Sequence, residues 1–172
     1  MDWIRGVSDD TNIDDSSMTL ITAFNSVHYF PLEETLMEFQ RIAKTSAHLA
    51  IYARVWEQEL DHIWGVHFPD YADYSIQPKR DVVMNIPDLS SGVELVATED
   101  FTFRRKTTFD WLIKRTRDKF YSTLGRYSDD EFEVAYDTFV NEVKSAYTDL
   151  GNIEYDSSYS LFLFSLTERD SQ

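Results

Sequence analysis

Residues 17–31, which read SMTLITAFNSVHYFP, decide the fold that this chain is predicted to adopt. Within them Met18 to Phe24 is a short run of apolar and β-branched residues, and such a run indicates a strand buried in the middle of a sheet. Small polar residues end the run at Asn25, an aromatic tip occupies 28–30, and Pro31 begins a helical pattern. Open α/β sheets place their ligands at such loops, at the carboxyl ends of the strands.

The composition indicates one acidic globular domain. The chain has 172 residues, of which 42% are hydrophobic and 15% aromatic, enough for one buried core. The net charge of -15 argues against a nucleic-acid partner, because phosphate contacts need clustered Lys and Arg. With no run of about 18 apolar residues and no secretory pattern at the N-terminus, we expect no membrane partner. Because the chain has no cysteine, we expect a cytoplasmic protein without thiolate chemistry.

The first third of the chain predicts a strand, a helix and a second strand. Residues 2–7 form a brief apolar segment that suggests a short strand, and a polar loop follows. After the strand at 18–24, apolar residues recur at helical spacing: Leu32, Leu36, Phe39 and Ala43. The pattern breaks at 45–47, and residues 48–53 read as another buried strand. Two such strands joined through a helix form a βαβ unit, whose strands are parallel.

The remainder predicts an antiparallel end to the sheet with helices between its strands. A short helix is expected at 55–67, and the segment from there through Pro87 is expected to be an irregular, tyrosine-rich insertion. The alternation in Val93 to Arg105 suits an antiparallel strand. A helix is expected at 109–124. Ser128 and Glu131 form a capping box that predicts the start of a further helix, which runs to about Leu150 with Gly151 as its C-cap. A last strand is expected at 159–166.

Several segments together resemble class I S-adenosylmethionine-dependent methyltransferases of the small-molecule type, which are methyltransferase type 11-like and related to the aconitate and ubiquinone-pathway enzymes. The segments follow in the family's order without gaps: Gly6-Val7-Ser8-Asp9, Ser17 to Thr22, Val27-His28-Tyr29-Phe30, Glu38 to Lys44, and Leu49 to Tyr52. The resemblance implies a Rossmann-like α/β sheet with antiparallel late strands and a helical substrate lid at about 107–150. It also implies a partial cofactor-binding core at 1–54, an insertion at 55–92, and late strands with the lid at 93–172.

The sequence departs from the family pattern in three places. Thr19 stands where the family has an acidic residue, and Thr-Ser-Ala at 45–47 replaces a Pro-Gly-Gly turn. The third departure is the glycine-rich loop, because none of the 5 glycines lies in a Gly-x-Gly arrangement. We therefore expect an N-terminally truncated methyltransferase portion that binds S-adenosylmethionine weakly or not at all.

This departure leaves three functions open. The first is methyl transfer to a small organic molecule, although the chain by itself is incomplete for it. The second is a non-catalytic truncated or split methyltransferase half, which pairs with a second chain that supplies the missing N-terminal half. The third is an acidic interaction module that only shares the fold.

The resemblance also implies positions for the cofactor. The Asp9 carboxylate would accept a hydrogen bond from the adenine amino group, with the backbone of Ser8 nearby. Phe24 and Asn25 would lie beside the methionine portion of the cofactor. The alternatives are that Asp9 is one more loop acid and that Asn25 is a turn residue.

His28 is the catalytic candidate, since a histidine at a strand end can orient a substrate or act as a general base near neutral pH. The alternative is that His28 is a half-buried, hydrogen-bonded residue without a catalytic role. Tyr52 and Arg54 end the next strand and would face the same cleft, where Arg54 could bind a substrate carboxylate; the alternative is a surface arginine. His62 and His67 lie on different helix faces and predict no metal site.

Overall fold

The computed structural model describes residues 4–167 and has a mixed α/β architecture. The strands are β1 (Met18–Phe24), β2 (Ala43–Ala53), β3 (Val93–Thr107) and β4 (Ile153–Leu166). The α-helices are α1 (Leu32–Ile42), α2 (Trp56–Leu60), α3 (Ile63–His67), α4 (Tyr71–Tyr74), α5 (Arg80–Met84), α6 (Phe109–Arg117) and α7 (Asp129–Ala146). Short 3-10 helices occupy Val27–Tyr29, Ile86–Leu89 and Leu124–Arg126. Among the residues described, no helix is both long and apolar enough to cross a membrane.

The four strands form one open sheet in the order β1-β2-β4-β3. β1 and β2 are parallel and are joined through α1, so the predicted βαβ unit is confirmed. β4 lies antiparallel to β2 and is inserted between β2 and β3. The chain therefore combines one parallel pair with antiparallel late strands, as the sequence predicted.

The chain divides into two compact units. Unit 1 comprises Met1–Arg54, Pro78–Asp100 and Tyr159–Gln172, and unit 2 comprises Val55–Gln77 and Phe101–Ser158. β3 and β4 contribute residues to both units. Each unit has its own core, and each is described separately.

In unit 1 the two faces of the sheet differ in burial. Alternate residues on one face are buried: Ala47, Leu49, Ile51 and Ala53 of β2, and Phe162, Phe164 and Leu166 of β4. The buried face of α1 includes Leu36, Phe39 and Ile42. The other sheet face carries Tyr52, Ala50 and His48 beside Leu161, Leu163 and Ser165, all half-buried. The described residues of unit 1 cover this face only partly.

β1 is an edge strand, not the buried central strand that the sequence predicted. Leu20 is 55% exposed and Phe24 is 66% exposed, whereas Ala23 is buried on the opposite face. The local pattern was apolar on both faces, but burial requires a neighbouring strand on each side. Among the described residues only β2 pairs with β1. The result is an apolar edge without the charged residues that usually protect such edges.

The expected turn at 45–47 is a wide bulge inside β2. Met18 pairs with Ala43, yet Leu20 pairs with His48, so two residues of β1 oppose five of β2. Ser46 has a φ of 65°, which lies in the left-handed region. In a Pro-Gly-Gly turn a glycine would adopt this conformation without strain. A serine at the strained position thus replaces the glycine turn.

A buried glutamine of α1 fixes the start of β3 in unit 1. The side-chain amide of Gln40 donates to the Ser91 carbonyl at 2.6 Å, and its oxygen accepts from the Ser90 hydroxyl at 2.8 Å. Gly92 has a φ of 81°, and a Cβ there would meet the Gln40 amide at 2.9 Å. Only glycine fits this close approach.

Unit 2 has an aromatic core between short helices and the long helix α7. Its largest buried side chains are Trp64, Phe132 and Phe139. The Trp64 indole nitrogen donates to the Thr116 hydroxyl at 2.8 Å, and this hydroxyl donates to the Leu112 carbonyl at 2.8 Å. The Trp64 indole N–H and the Thr116 hydroxyl are therefore both satisfied inside this core.

Several predicted boundaries change. The expected strand at 2–7 lies partly outside the described residues, and at 4–7 it is replaced by one isolated bridge from Val7 to Asp10. The helix expected at 55–67 is split into α2 and α3, and the region called irregular contains α4, α5 and a 3-10 helix. The helix expected at 109–124 ends at Arg117.

The helix α7 begins as predicted but ends early. The Ser128 hydroxyl and the Glu131 carboxylate form the expected capping box. The helix ends at Ala146 with Tyr147 as its C-cap, so Gly151 is not the C-cap. β4 begins at Ile153, six residues before the expected start at Tyr159.

Candidate functional site

Three aromatic side chains form a row at the carboxyl ends of the parallel strands in unit 1. The ring centroids of Phe24 and Tyr52 lie 5.3 Å apart, and those of Tyr52 and Tyr159 lie 5.1 Å apart with nearly parallel planes. Phe24 and Tyr52 are paired neighbours in β1 and β2, so their side chains share one sheet face. We call Phe24, Tyr52 and Tyr159 the aromatic row.

Asn25 holds the ends of the two strands together. Its backbone N–H donates to the Tyr52 carbonyl at 2.8 Å, and its side-chain oxygen accepts the Arg54 backbone N–H at 3.1 Å. Its φ of 46° lies in the left-handed region, which Asn tolerates better than most residues. Asn25 is therefore a turn residue, which was the alternative interpretation of this position. Its contact with the cofactor remains a prediction.

Arg54 contacts Tyr159 of the aromatic row and is buried, so the alternative of a surface arginine is wrong. Its exposed fraction is 5%. One guanidinium nitrogen donates to the Tyr159 hydroxyl at 2.9 Å, and the guanidinium carbon lies 4.9 Å from the centre of the Tyr159 ring. A buried cation held by an aromatic ring is fixed in position. It gives this end of the sheet a local positive charge in an otherwise acidic chain.

His28 follows in the 3-10 helix Val27–Tyr29, between β1 and α1. Its imidazole is half-buried, and its centroid lies 4.0 Å from that of the exposed Tyr29 ring. This position after the end of β1 agrees with the predicted strand-end placement. Its catalytic role remains a prediction.

Ser8 and Asp9 belong to a loop that is attached to α1. The Thr35 hydroxyl donates to the Ser8 hydroxyl at 2.9 Å. Asp9 lies in the tight turn that the backbone bonds between Val7 and Asp10 close, and its side chain is exposed. An exposed carboxylate in a rigid turn retains its acceptor capacity, although no contact places it beside the aromatic row.

An ion pair between a buried glutamate and an exposed arginine fixes the rest of this loop. Glu38 of α1 accepts from the Thr11 backbone at 2.9 Å and from the Thr11 hydroxyl at 2.5 Å. Arg41 donates to Glu38 at 2.7 Å and also contacts Asp15. The hydrogen bond from Arg41, opposed by burial and assisted by Thr11, lowers the pKa of Glu38 from 4.5 to about 2. The loop that carries Ser8 and Asp9 is thus held by a pair that is charged at neutral pH.

The structure brings together four of the predicted site residues, whereas Ser8 and Asp9 lie in the loop attached to α1 and His28 lies in the 3-10 helix after β1. Phe24, Asn25, Tyr52 and Arg54 meet around Tyr159. Sequence reasoning missed Tyr159, which was assigned only to the last strand. When two strands pair antiparallel, one begins beside the end of the other. Tyr159 is the first residue of the predicted last strand, so its sequence position was the signal that could have placed it near Tyr52, at the end of β2.

These residues fit one part of an S-adenosylmethionine site. An exposed ring at a strand end and an exposed loop carboxylate suit the apolar and amino groups of such a cofactor. The described residues contain no counterpart of the glycine-rich loop that would bind the rest of the cofactor. Within 4–167 the one glycine with a left-handed φ is Gly92, which lies at the start of β3. The donor set is therefore partial.

Comparison with solved structures shows which fold this is. A candidate methyltransferase from Bacillus halodurans is 14% identical with a TM-score of 0.51, covering 95% of this chain and 70% of its own. The YcgJ protein from Bacillus subtilis is 15% identical with a TM-score of 0.52 and the same coverage. The MccD protein is 12% identical with a TM-score of 0.50, covering 94% of this chain and 66% of its own.

The sequence itself matches no protein-family model and no curated protein. At these identities the likeness concerns the fold, and it agrees with the strand order and the parallel and antiparallel pairs described above. The predicted fold class is confirmed. This chain has a Rossmann-like α/β fold, which it shares with a candidate methyltransferase of known structure.

Proposed function

We propose that this chain forms one part of the active site of an S-adenosylmethionine-dependent methyltransferase that acts on a small organic molecule. The observation that carries the proposal is the cluster of Phe24, Asn25, Tyr52 and Arg54 at the carboxyl ends of β1 and β2. In open α/β sheets this edge is where ligands bind. The fold adds support, since the solved structures that resemble the chain include a candidate methyltransferase.

The chain's residues would bind and orient the reactants. S-adenosylmethionine supplies an electrophilic methyl group, and Asp9 and Phe24 would hold its adenine and methionine ends. Tyr52 and Arg54 would hold the acceptor, with Arg54 favouring a substrate that carries a carboxylate. His28 would position the acceptor or remove its proton. Because methyl transfer needs two partners in line, positioning is the main contribution of these groups.

A calorimetric titration of the purified chain with S-adenosylhomocysteine tests the proposal. We expect weak but saturable binding that Asp9→Ala abolishes. Asp10→Ala is the matched control, because it removes an exposed carboxylate from the same turn without touching the proposed adenine contact. Binding that both variants lower equally would reflect loop disruption and would count against the role of Asp9.

A second function is favoured by the apolar edge of β1. The chain would be a methyltransferase half that adds a further polypeptide segment to this edge, and that segment would carry the glycine-rich loop. Leu20 and Phe24 are exposed on the edge strand, and the adjoining sheet face is only half-buried. The solved structures extend beyond this chain by about a third of their length. A folded, monodisperse chain that binds no S-adenosylhomocysteine would favour this function over the first.

A further inference from the structure

Unit 2 contains a surface cavity that the proposed methyl-transfer site does not use. Its volume is about 410 Å³, and it lies between α4 and the N-terminal half of α7. The side chains that define it are Asp70, Tyr74, Tyr127, Asp130, Glu131 and Val134. This volume is within the range of small-molecule sites and exceeds that of a single metal ion.

Two stacked tyrosines form the aromatic wall of the cavity. The ring centroids of Tyr74 and Tyr127 lie 3.9 Å apart, with 28° between the ring planes. The Tyr127 hydroxyl donates to the Pro69 carbonyl at 2.7 Å, and the Tyr74 hydroxyl donates to Glu131 at 3.1 Å. Both rings are therefore held in place by their hydroxyl groups and by each other.

The charged groups of the cavity are all acidic. Asp70, Asp130 and Glu131 line it, and no lysine or arginine is among the described residues that do so. Burial first, and then the nearby carboxylates Asp70, Asp73 and Glu131, raise the pKa of Tyr127. The cavity is thus lined by carboxylates and by an aromatic wall.

From this combination we propose that the cavity binds a small organic ammonium ion. A cation gains from the tyrosine faces and from the carboxylates together, whereas an anion is repelled by both. Val134 and Ala135 give the cavity an apolar side that suits the alkyl groups of such an ion. Among residues 4–167 no group of acidic and histidine side chains is arranged to hold a metal, which favours an organic cation over a bare one. The inference does not depend on methyl transfer.

Titration of the full chain with choline and with tetramethylammonium, in the absence of S-adenosylmethionine, tests this site. Calorimetry should show saturable binding of both cations. The neutral carbon isostere of choline, in which carbon replaces the quaternary nitrogen, should bind at least about fivefold more weakly, since it loses the cation–π and ionic contacts. Equal binding of choline and its isostere, or no saturation by either cation, would overturn the proposal.

Charge-neutral variants locate the binding. Glu131→Gln keeps the helix capping box, because Gln also fills that position, and removes one cavity charge. Asp130→Asn removes another. Each should weaken choline binding about threefold or more. Asp137→Asn, which neutralises an exposed acid on the same helix that does not line the cavity, should leave the binding unchanged. An equal loss in Asp137→Asn would indicate net charge alone and would contradict a site at the cavity.

A ring variant separates the aromatic contribution from folding. Tyr74→Phe keeps the ring and should retain choline binding, whereas Tyr74→Leu should lose most of it. Both variants are to be checked for unchanged cooperative unfolding, so that a folding defect is recognised. Equal binding by Tyr74→Leu and Tyr74→Phe would contradict the role of the aromatic wall.

Discussion

A guanidinium nitrogen of Arg54 lies 2.9 Å from the hydroxyl oxygen of Tyr159, and the guanidinium carbon lies 4.9 Å from the centre of the same ring. One tyrosine from the antiparallel strand β4 therefore holds the buried cation at the end of the parallel strand β2. The aromatic row and the positive charge of the candidate site depend on this one relationship.

Tyr159→Phe should lower the free energy of unfolding by about 1.5 kcal/mol, because it removes a hydrogen bond to a buried charged group while keeping the ring. Urea denaturation measures the change. Tyr29→Phe is the control, since Tyr29 is 61% exposed, and it should change stability little. Equal effects of the two variants would mean that the Arg54 contact contributes nothing to stability.

The ion pair of Glu38 and Arg41 should make stability depend on pH in the acid range. The pKa of Glu38 falls from 4.5 to about 2 on folding, so its contribution is complete above 4.5 and is lost as pH falls from there towards 2. Glu38→Gln should therefore destabilise the chain at neutral pH, and the difference from the original chain should shrink below pH 4.5.

Urea denaturation across a pH series measures this difference. Glu33→Gln, at an exposed position in the first turn of α1, serves as the control. A Glu38→Gln deficit that stays constant from neutral pH down to about pH 3 would show that the carboxylate charge is not what stabilises the loop.

The hydrogen bond from Trp64 to Thr116 should be important for the core of unit 2. Thr116→Val keeps the shape but leaves the indole N–H of a fully buried tryptophan unsatisfied, which costs about 1–3 kcal/mol. Unfolding followed by tryptophan fluorescence measures the cost. Thr138→Val removes an exposed hydroxyl on α7 and should change stability by less than about 0.5 kcal/mol.

The edge of β1 should mediate self-association of the isolated chain at high concentration. An exposed apolar strand without charges is a template for further strand pairing. Leu20→Lys should shift the chain towards monomer in sedimentation velocity experiments, without loss of folding. Val66→Lys, which replaces an equally exposed apolar residue on α3, should leave the association unchanged. A monomer at all concentrations would contradict this prediction.

The sequence predicted the order of the main elements because each has a clear local pattern. The strand at 18–24, the amphipathic α1 and the capping box at Ser128 depend on neighbours a few residues apart. The exposure of β1 could not be predicted in this way, because burial depends on which strands pair with it. The same holds for the bulge at Ser46, which is visible only once β1 and β2 are in register.

The candidate site was predicted only in part for the same reason. Asn25 and Arg54 directly follow β1 and β2, and Tyr52 lies near the end of β2. Because the carboxyl ends of parallel strands lie at the same edge of a sheet, the sequence could place these residues together. Tyr159 is about a hundred residues further along the chain, and its position beside Tyr52 follows from the insertion of β4 next to β2. The burial of Arg54 depends on that tyrosine as well.

We propose that the carboxyl ends of β1 and β2 form part of an S-adenosylmethionine site. Amide chemical-shift mapping with S-adenosylhomocysteine tests it most directly, because it detects weak binding and locates it by residue. We predict concentration-dependent shifts at Ser8, Asp9, Phe24 and Asn25, with unit 2 unaffected. Shifts confined to unit 2, or an unchanged spectrum at saturating ligand, would contradict the claim.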